Sequence, residues 1–462
     1  MLHGIDIDLF RKHNRPGPRY TSYPTVPAWR DDFGPGDFAS HLERAAAMPA
    51  DKPLSLYVHL PFCESMCRYC GCNVVISRSF TRHAEYVEVL DLELGMIAER
   101  LGARNKLMQL HYGGGTPTFL EEPLLVKLWE SIHTRFEILD GAEMAIEADP
   151  AVTTNKKLAV LRGMGFNRLS IGVQDFDQKV LDAVARPQTV EQVSGLYRYA
   201  RKIGFSGINF DLMYGLPHQT AETFGSTIQR VIELGPDRIA VFSYAHLPHL
   251  KPHQRQLDES AMLGGEEKYE LFASAREMLL DAGYLAIGMD HFAREDDVLA
   301  IARRNGKLSR NFQGYTDHPT DDIVAVGISA ISSLETAYAQ NVRPLNGYYR
   351  AIREGELATC KGIEVSDDDR IRRAAINEMM CQFGLDLDDF GARHGIDGPR
   401  YFQRAVAQLG SFVEDEIVSI DGSTIRVTEQ GWPFIRNVAM AFDVYLEEVQ
   451  QNSERPAFSR TI

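Results

Sequence analysis

The sequence predicts an α/β protein: a parallel sheet, open or closed as a barrel, followed by a mainly helical C-terminal region. Three observations carry this. From about residue 54 to residue 290, short apolar runs alternate with amphipathic helical patterns, as repeated βα units require. Polar or glycine residues end those runs (His59, Gly113–Gly115, Glu147, Gln174, Asp211 and Asp290), at the rim where a βα barrel carries its active site. After about residue 360 the texture changes to charged helices and one hairpin.

Taken in order, LSLYVHL (54–60) reads as a buried strand and residues 82–100 as an amphipathic helix. KLMQLHY (106–112), a helix near 121–136, EMAIEAD (143–149) and a helix from about 153 follow. The next strands are RLSIGVQ (168–174), INFDLMYG (208–215), RIAVFSYA (238–245) and LAIGMDHF (285–292), separated by helices at 190–203, 220–234 and 266–282. SDDDRIRRAAINEMMCQF reads as a capped helix, with a second helix at 399–411. IVSIDGSTIRVT (417–428) reads as a hairpin with an Asp-Gly turn, and a final helix spans 430–448.

The chain has 462 residues, is 44% hydrophobic and 24% charged, and has a formal net charge of −15. An acidic surface argues against nucleic acid or anionic membrane as partners, but not against a local basic pocket. No window reaches the roughly eighteen apolar residues of a membrane span. The N-terminal MLHGIDIDLFRKHNRPG lacks a signal peptide's apolar core, so a cytoplasmic location is expected. Four of the six cysteines fall between residues 63 and 72, a crowding that points to metal or redox chemistry instead of a disulfide scaffold.

Those cysteines read YVHLPFCESMCRYCGCN: Cys63, Cys67 and Cys70 form C-x3-C-x2-C, and Cys72 follows. Thiolates suit Fe–S clusters and zinc. A closed zinc site takes four protein ligands, usually in paired knuckles, and no second pair exists here, since Cys360 and Cys381 are isolated. Three ligands after the first strand leave one iron of a [4Fe–4S] cluster open to the amino and carboxylate groups of S-adenosylmethionine. An electron passed into the sulfonium then releases a 5′-deoxyadenosyl radical. This spacing resembles that of the radical S-adenosylmethionine superfamily. Cys72 keeps three readings: an alternative ligand, a thiol behind the ligands, or a small buried residue.

Further segments narrow the resemblance: RYTSYP (19–24), HLPFC, CGCN, QLHYGGGTPT (109–118), EADP (147–150), NRLSIGVQDF (167–176), DLMYGLP (211–217), YAHLP (244–248), GMDHFA (288–293), RNFQGYT (310–316) and FSR (458–460). In this order they resemble the oxygen-independent coproporphyrinogen III oxidase family over essentially the whole chain. The resemblance implies a partial (β/α)6 radical-SAM barrel with an N-terminal arm and a mainly helical C-terminal domain. The divisions are 1–50 for the arm and its helix, 51–360 for the catalytic barrel with a closing segment, and 361–462 for a helical, winged-helix-like domain expected to cover the substrate. It implies oxidative decarboxylation of two propionates of coproporphyrinogen III to vinyl groups, giving protoporphyrinogen IX. It also implies a [4Fe–4S] cluster, two S-adenosylmethionine molecules, an electron donor such as flavodoxin or ferredoxin, and a monomer. MMCQFGLD (379–386) departs from the family's usual sequence, which bears on substrate fit and not on the cluster.

Carried over by motif, the first S-adenosylmethionine meets Tyr57, Gly114, Glu147, Ala245 and Ile331, and the second meets Tyr69, Gly115, Thr116, Gln174, Arg186 and Asp211. The residues themselves support most of this set. Glycines let backbone approach a ligand, although a tight βα turn explains them equally. Glu147 and Asp211 suit ribose hydroxyls or an ammonium, or are rim carboxylates paired with arginine. Arg186 suits a carboxylate, or is a surface arginine. Ala245 and Ile331 are packing residues without the resemblance. For the propionates the candidates are Arg19, Arg78 and Arg310, with Tyr20 and Tyr23 lining the mouth and Phe312 and Gln313 near the second cofactor. His59, His111 and His291 stand at strand ends as functional or merely satisfied histidines. The competing readings are a heme chaperone on the same scaffold, a radical enzyme acting on another substrate, and a zinc-binding structural protein.

Overall fold

The computed structural model describes residues 7–318, 320, 322–452 and 457–461. The chain divides into two compact units. One comprises 30–262 with 320–364, and the other 1–29, 263–319 and 365–462.

In the first unit six strands run parallel: β1 (Leu54–Leu60), β2 (Lys106–Gly114), β3 (Glu137–Ala148), β4 (Arg168–Gln174), β5 (Gly207–Tyr214) and β6 (Arg238–Ser243). Beside β1 the sheet continues through Ile323–Val326, parallel, and then through the antiparallel strands Ile331–Ser333, Ala337–Asn341 and Thr359–Glu364. Helices Phe80–Leu101, Glu122–His133, Asn155–Gly163, Val190–Lys202 and Ala221–Leu234 supply the crossovers. This is the partial (β/α)6 barrel expected.

Strand periodicity decides which side chains face which way. In β4, Leu169, Ile171 and Val173 are buried in the apolar layer, while Ser170, Gly172 and Gln174 take the alternate face. In β5 the same alternation buries Ile208, Phe210 and Leu212 and turns Asn209, Asp211 and Met213 the other way. Fully burying such an aliphatic or aromatic side chain is worth about 1.5–3 kcal/mol, so a register slip is strongly disfavoured. Behind β1 lies a closed polar knot. Glu93 accepts hydrogen bonds from Gly327 N–H (2.7 Å), Asn341 (2.7 Å) and the Tyr348 hydroxyl (2.6 Å). The Tyr86 hydroxyl donates to the His59 carbonyl (2.8 Å) and accepts from Ile328 N–H (3.1 Å). Burial pushes the Glu93 carboxyl up to about 7, against those bonds.

In the second unit the buried Arg436 guanidinium binds the carbonyls of Gly17, Pro18 (2.9 Å) and Arg460 (2.8 Å), tying the N-terminal arm to the C-terminal segment. Three expectations need correction here. LAIGMDHF is not one strand but an antiparallel pair, Tyr284–Ile287 with His291–Arg294. Gly288 has φ +61°, the left-handed conformation that lets the chain reverse, so Asp290 sits in a hairpin turn and not at a barrel rim. The helix expected at 399–411 is three short segments, Gly398–Tyr401, Gln403–Gln408 and Gly410–Glu414. The final helix is also broken. Short helical turns cover Trp432–Phe442, and Leu446–Gln451 follows an extended Asp443 whose carboxylate accepts Tyr445 N–H (2.9 Å), a local bond that competes with the helix. Among the described residues no helix is long and apolar enough to cross a membrane.

Candidate active site

A cavity of about 310 Å³ opens at the C-terminal ends of β2–β6. Its wall carries Cys63, Cys67, Cys70 and Cys72 together with Tyr69, Gly114, Gly115, Thr116, Glu147, Gln174, Arg186 and Asp211. Chain parity explains the gathering, because each contributing strand turns alternate side chains, or a glycine, toward the cavity at its C-terminal end.

Each of the three spaced thiols has a polar neighbour. Cys63 Sγ lies 3.2 Å from the Thr116 hydroxyl, Cys67 Sγ receives Arg186 Nη1 at 3.7 Å, and Cys70 Sγ receives Cys72 N–H at 3.4 Å. Burial pushes the Cys63 thiol up to about 12. It also raises Cys67, against the pull of Arg186, whereas the bonds from Cys72 draw Cys70 down. Cys72 is exposed and contributes its amide to Cys70. Among the described residues no three Cys, His, Asp or Glu side chains gather round one point as a single ion requires; the thiols edge the cavity instead. Three soft donors on one loop, each with a hydrogen-bond partner, facing open space, fit an iron–sulfur cubane.

The glycine run is used differently from a simple amide clamp. The amides of Gly114, Gly115 and Thr116 donate to Glu147 Oε2 (3.1 Å), Leu60 O (2.9 Å) and Phe62 O (3.0 Å). A Cβ at Gly113 would meet Glu147 and the Tyr57 ring at 2.8–2.9 Å, one at Gly114 the His59 ring at 2.7 Å, and one at Gly115 the Pro61 carbonyl at 2.5 Å. The run therefore packs strand end against strand end and leaves the neighbouring side chains for a ligand.

Glu147 is raised by burial, but the hydrogen bonds from His111 (3.2 Å) and Gly114 outweigh that and hold the carboxyl below its ordinary range. His59 is pushed down by burial and so is neutral: Nε2–H donates to Asn73 O (3.0 Å) and Nδ1 accepts from the Tyr57 hydroxyl (3.2 Å). Tyr57 also stacks on His111 with ring centroids 5.6 Å apart. Asp211 accepts from Ser170 (2.7 Å) and Asn209 (2.8 Å). Gln174 sits at φ +65°, a conformation that costs a non-glycine residue free energy, and its neighbour Asp175 anchors the turn through Thr227 (2.5 Å) and Gln219 (2.6 Å). Arg186 is buried, not a surface arginine. It binds Asp149 (2.7 Å), Gly172 O (2.7 Å) and Gln188 (3.0 Å) beside Cys67.

Tyr57, Ala245 and Ile331 do not line the cavity; Tyr57 stands behind Glu147, and the Ala245 carbonyl accepts from Gln254 (3.3 Å). Sequence reasoning missed Asp149 and Ser170, which line the cavity and fix Arg186 and Asp211. Both were within the quoted motifs, and alternation along β4 marks Ser170 as inward. Arg78 is 71% exposed beside Glu64 (3.5 Å).

The remaining candidates belong to the second unit. Arg19 pairs with Asp290, which holds that carboxyl well below its usual range although burial alone would raise it. Arg310 binds the Arg19 carbonyl and lies over the Tyr315 ring. Tyr20 and Tyr23 are buried, with the Tyr20 hydroxyl on Asp443 (3.0 Å) and the Tyr23 oxygen accepting Val444 N–H (3.2 Å), so they are interior groups of this unit. Phe312 packs edge-on against Trp29, and Gln313 N–H binds Asn311 (2.9 Å). His291 bonds Asp290 (2.7 Å).

Comparison with known proteins places this arrangement. The Radical SAM superfamily profile matches residues 57–231, and the HemN C-terminal domain profile matches 365–434. The oxygen-independent coproporphyrinogen III oxidase of Pseudomonas aeruginosa is 41% identical over 459 residues, covering 99% of this chain and 98% of that protein. The enzyme of the same name from Escherichia coli K12 is 41% identical over 457 residues, with the same coverage. The solved coproporphyrinogen III oxidase (HemN) from Escherichia coli, described as a radical SAM enzyme, superposes with a TM-score of 0.90 at 40% identity, covering 96% of this chain and all of that one. The chain belongs to the oxygen-independent coproporphyrinogen III oxidase family of radical SAM enzymes.

Proposed function

We propose that this chain converts two propionates of coproporphyrinogen III to vinyl groups by oxygen-independent oxidative decarboxylation, giving protoporphyrinogen IX, with Cys63, Cys67 and Cys70 holding a [4Fe–4S] cluster. The observation that carries the reading is the gathering of three hydrogen-bonded thiols, the Gly114–Thr116 turn, Glu147 and the Arg186–Asp149 pair around one cavity. When bound, the cluster and S-adenosylmethionine supply one-electron chemistry strong enough to take hydrogen from an unactivated carbon.

The chain's own residues orient and shield. Thr116, Arg186 and the Cys72 amide stabilise the three thiolates. Glu147, kept ionised, offers a carboxylate to ribose hydroxyls or an ammonium. Gly114 and Glu147 serve one S-adenosylmethionine, together with Tyr57, Ala245 and Ile331 from outside the cavity wall. Tyr69, Gly115, Thr116, Gln174, Arg186 and Asp211, all in the cavity wall, serve a second. Met66, Val74, Val152, Met213 and Phe242 add apolar surface to the wall and limit water there. Arg78, largely in solvent, can exchange Glu64 for a propionate, while Arg19 and Arg310 must first release partners. An external one-electron donor such as flavodoxin or ferredoxin completes the system, which works in the cytoplasm as a monomer.

The test is an anaerobic assay of iron- and sulfide-reconstituted protein with coproporphyrinogen III, S-adenosylmethionine and a reductant. Protoporphyrin and 5′-deoxyadenosine are expected together. Deoxyadenosine without the vinyl product would sink the substrate assignment. No cleavage of S-adenosylmethionine would sink the cofactor assignment.

A further inference from the structure

Residues 238–257 contain no aspartate or glutamate, in a chain that has 64 of them among 462 residues. The second half of this stretch, HLPHLKPHQRQL, holds His246, His249, Lys251, His253 and Arg255. Two of these reach the cysteine loop: Lys251 Nζ donates to the Cys72 carbonyl (3.2 Å), and His253 Nε2 bonds the Cys70 carbonyl (2.8 Å). Gln254 adds a bond to the Tyr69 carbonyl (3.1 Å). None of residues 246–257 lines the cavity, so the segment backs the loop from outside. Its outer side is open to solvent. Leu250 is 64% exposed, the largest exposure among the big apolar side chains of the described residues, and His249 and Arg255 are exposed beside it. The acidic groups that follow are Asp258, taken by Ser260, and Glu259, which pairs with His246 at 3.0 Å.

An exposed leucine flanked by Lys251 and Arg255, in a stretch without carboxylates on an otherwise acidic chain, is the composition of a docking patch for an acidic protein. Its two bonds to the carbonyls of Cys70 and Cys72 put that patch against the loop that electrons must enter. We propose that residues 249–255 form the docking surface for a small acidic electron-transfer protein. There the partner gives up one electron, is itself oxidised by one electron, and the cluster behind Cys70 is reduced by one. The inference rests on the cluster assignment above and adds the place of electron entry.

The probe is a reduced acidic flavodoxin. The variants are His249→Glu with Arg255→Glu, and separately Leu250→Ser. Lys251 is left in place because it holds Cys72. Calorimetric binding to the wild-type chain should weaken steeply with salt, and the double variant should bind about tenfold more weakly or worse. Cluster reduction by flavodoxin, followed by electron paramagnetic resonance, should slow by a similar factor, while reduction by dithionite stays within about twofold. Unchanged flavodoxin binding and reduction in both variants overturn the docking surface alone. Equal slowing with dithionite overturns it too, because the change then lies in the cysteine loop. A wild-type protein that takes up no cluster overturns the functional reading instead, and calorimetry still decides whether the patch binds. If the double variant misfolds, Leu250→Ser and Arg255→Met carry the same comparison.

Discussion

The cysteine cavity and the Arg19–Asp290–Tyr20 group are both built from motif residues, yet they differ in what is left over. In the cavity, side chains converge on open space and keep unfilled capacity: three thiols, a carboxylate held ionised, and a glutamine in a strained conformation. In the other unit, arginine meets aspartate, tyrosine meets aspartate, and Arg310 meets a carbonyl, so the group is largely closed on itself, with the buried Arg310 Nε left over. A motif residue alone does not reveal which kind it is. Residual capacity does, and it separates groups open to a ligand as they stand from groups that must first release a partner.

The largest break in that contrast comes from the thiols. Cys67→Ser should abolish iron uptake and the cluster's visible absorption, while Cys72→Ser should retain both, since Cys72 offers its amide to Cys70. Equal loss in the two variants would make Cys72 a ligand. Arg186→Ala comes next: it strips Asp149 of its buried partner and should cost about 3–5 kcal/mol in urea unfolding. A loss of S-adenosylmethionine binding beyond that expected from instability would mark Arg186 as serving both roles.

Glu93 sharpens the comparison from the same unit as the cavity, because its knot is as closed as the one around Asp290. Its folded-state pKa, about 7, lies above the ordinary 4.5, so the folded chain binds the extra proton between those values. Its contribution is fully present below pH 4.5 and is lost as pH rises toward 7, a change of about 3 kcal/mol. Unfolding midpoints measured across that window should slope downward in the wild type, and Glu93→Gln should flatten the slope. Tyr20→Phe should cost about 1–2 kcal/mol of stability by removing one of the hydrogen bonds to the buried Asp443, with turnover per folded molecule unchanged. A turnover loss would move Tyr20 into the active group. The smallest effect belongs to Gln174→Gly, which should relieve about 1 kcal/mol of backbone strain while raising KM for S-adenosylmethionine. Gln174→Ala should raise KM without the gain in stability.

Much of this was legible beforehand for a physical reason. A parallel strand buried on one face and ending at a rim fixes the direction of each residue by parity, so Glu147, Gln174 and Asp211 were placed by counting. Where parity gives no guidance, reading failed. LAIGMDHF looks like one strand until Gly288 takes a left-handed conformation and the chain turns back. The C-terminal helices looked continuous because periodicity does not register the local bond that extends Asp443. The burial of Arg186 was likewise hidden, since its partners Asp149 and Gly172 are remote in sequence.

The Gly113–Gly115 run has a consequence for anyone reshaping this catalyst. Each missing Cβ is a space already filled by Tyr57, His59 or Pro61, and the amides of Gly114 and Gly115 are already spent on Glu147 and Leu60. The triplet is therefore a keystone of the scaffold more than a reader of what it holds. Libraries that aim at new substrates should leave it untouched and randomise the wall across the cavity, at Met213 and Phe242, where side chains border space and not one another's backbone.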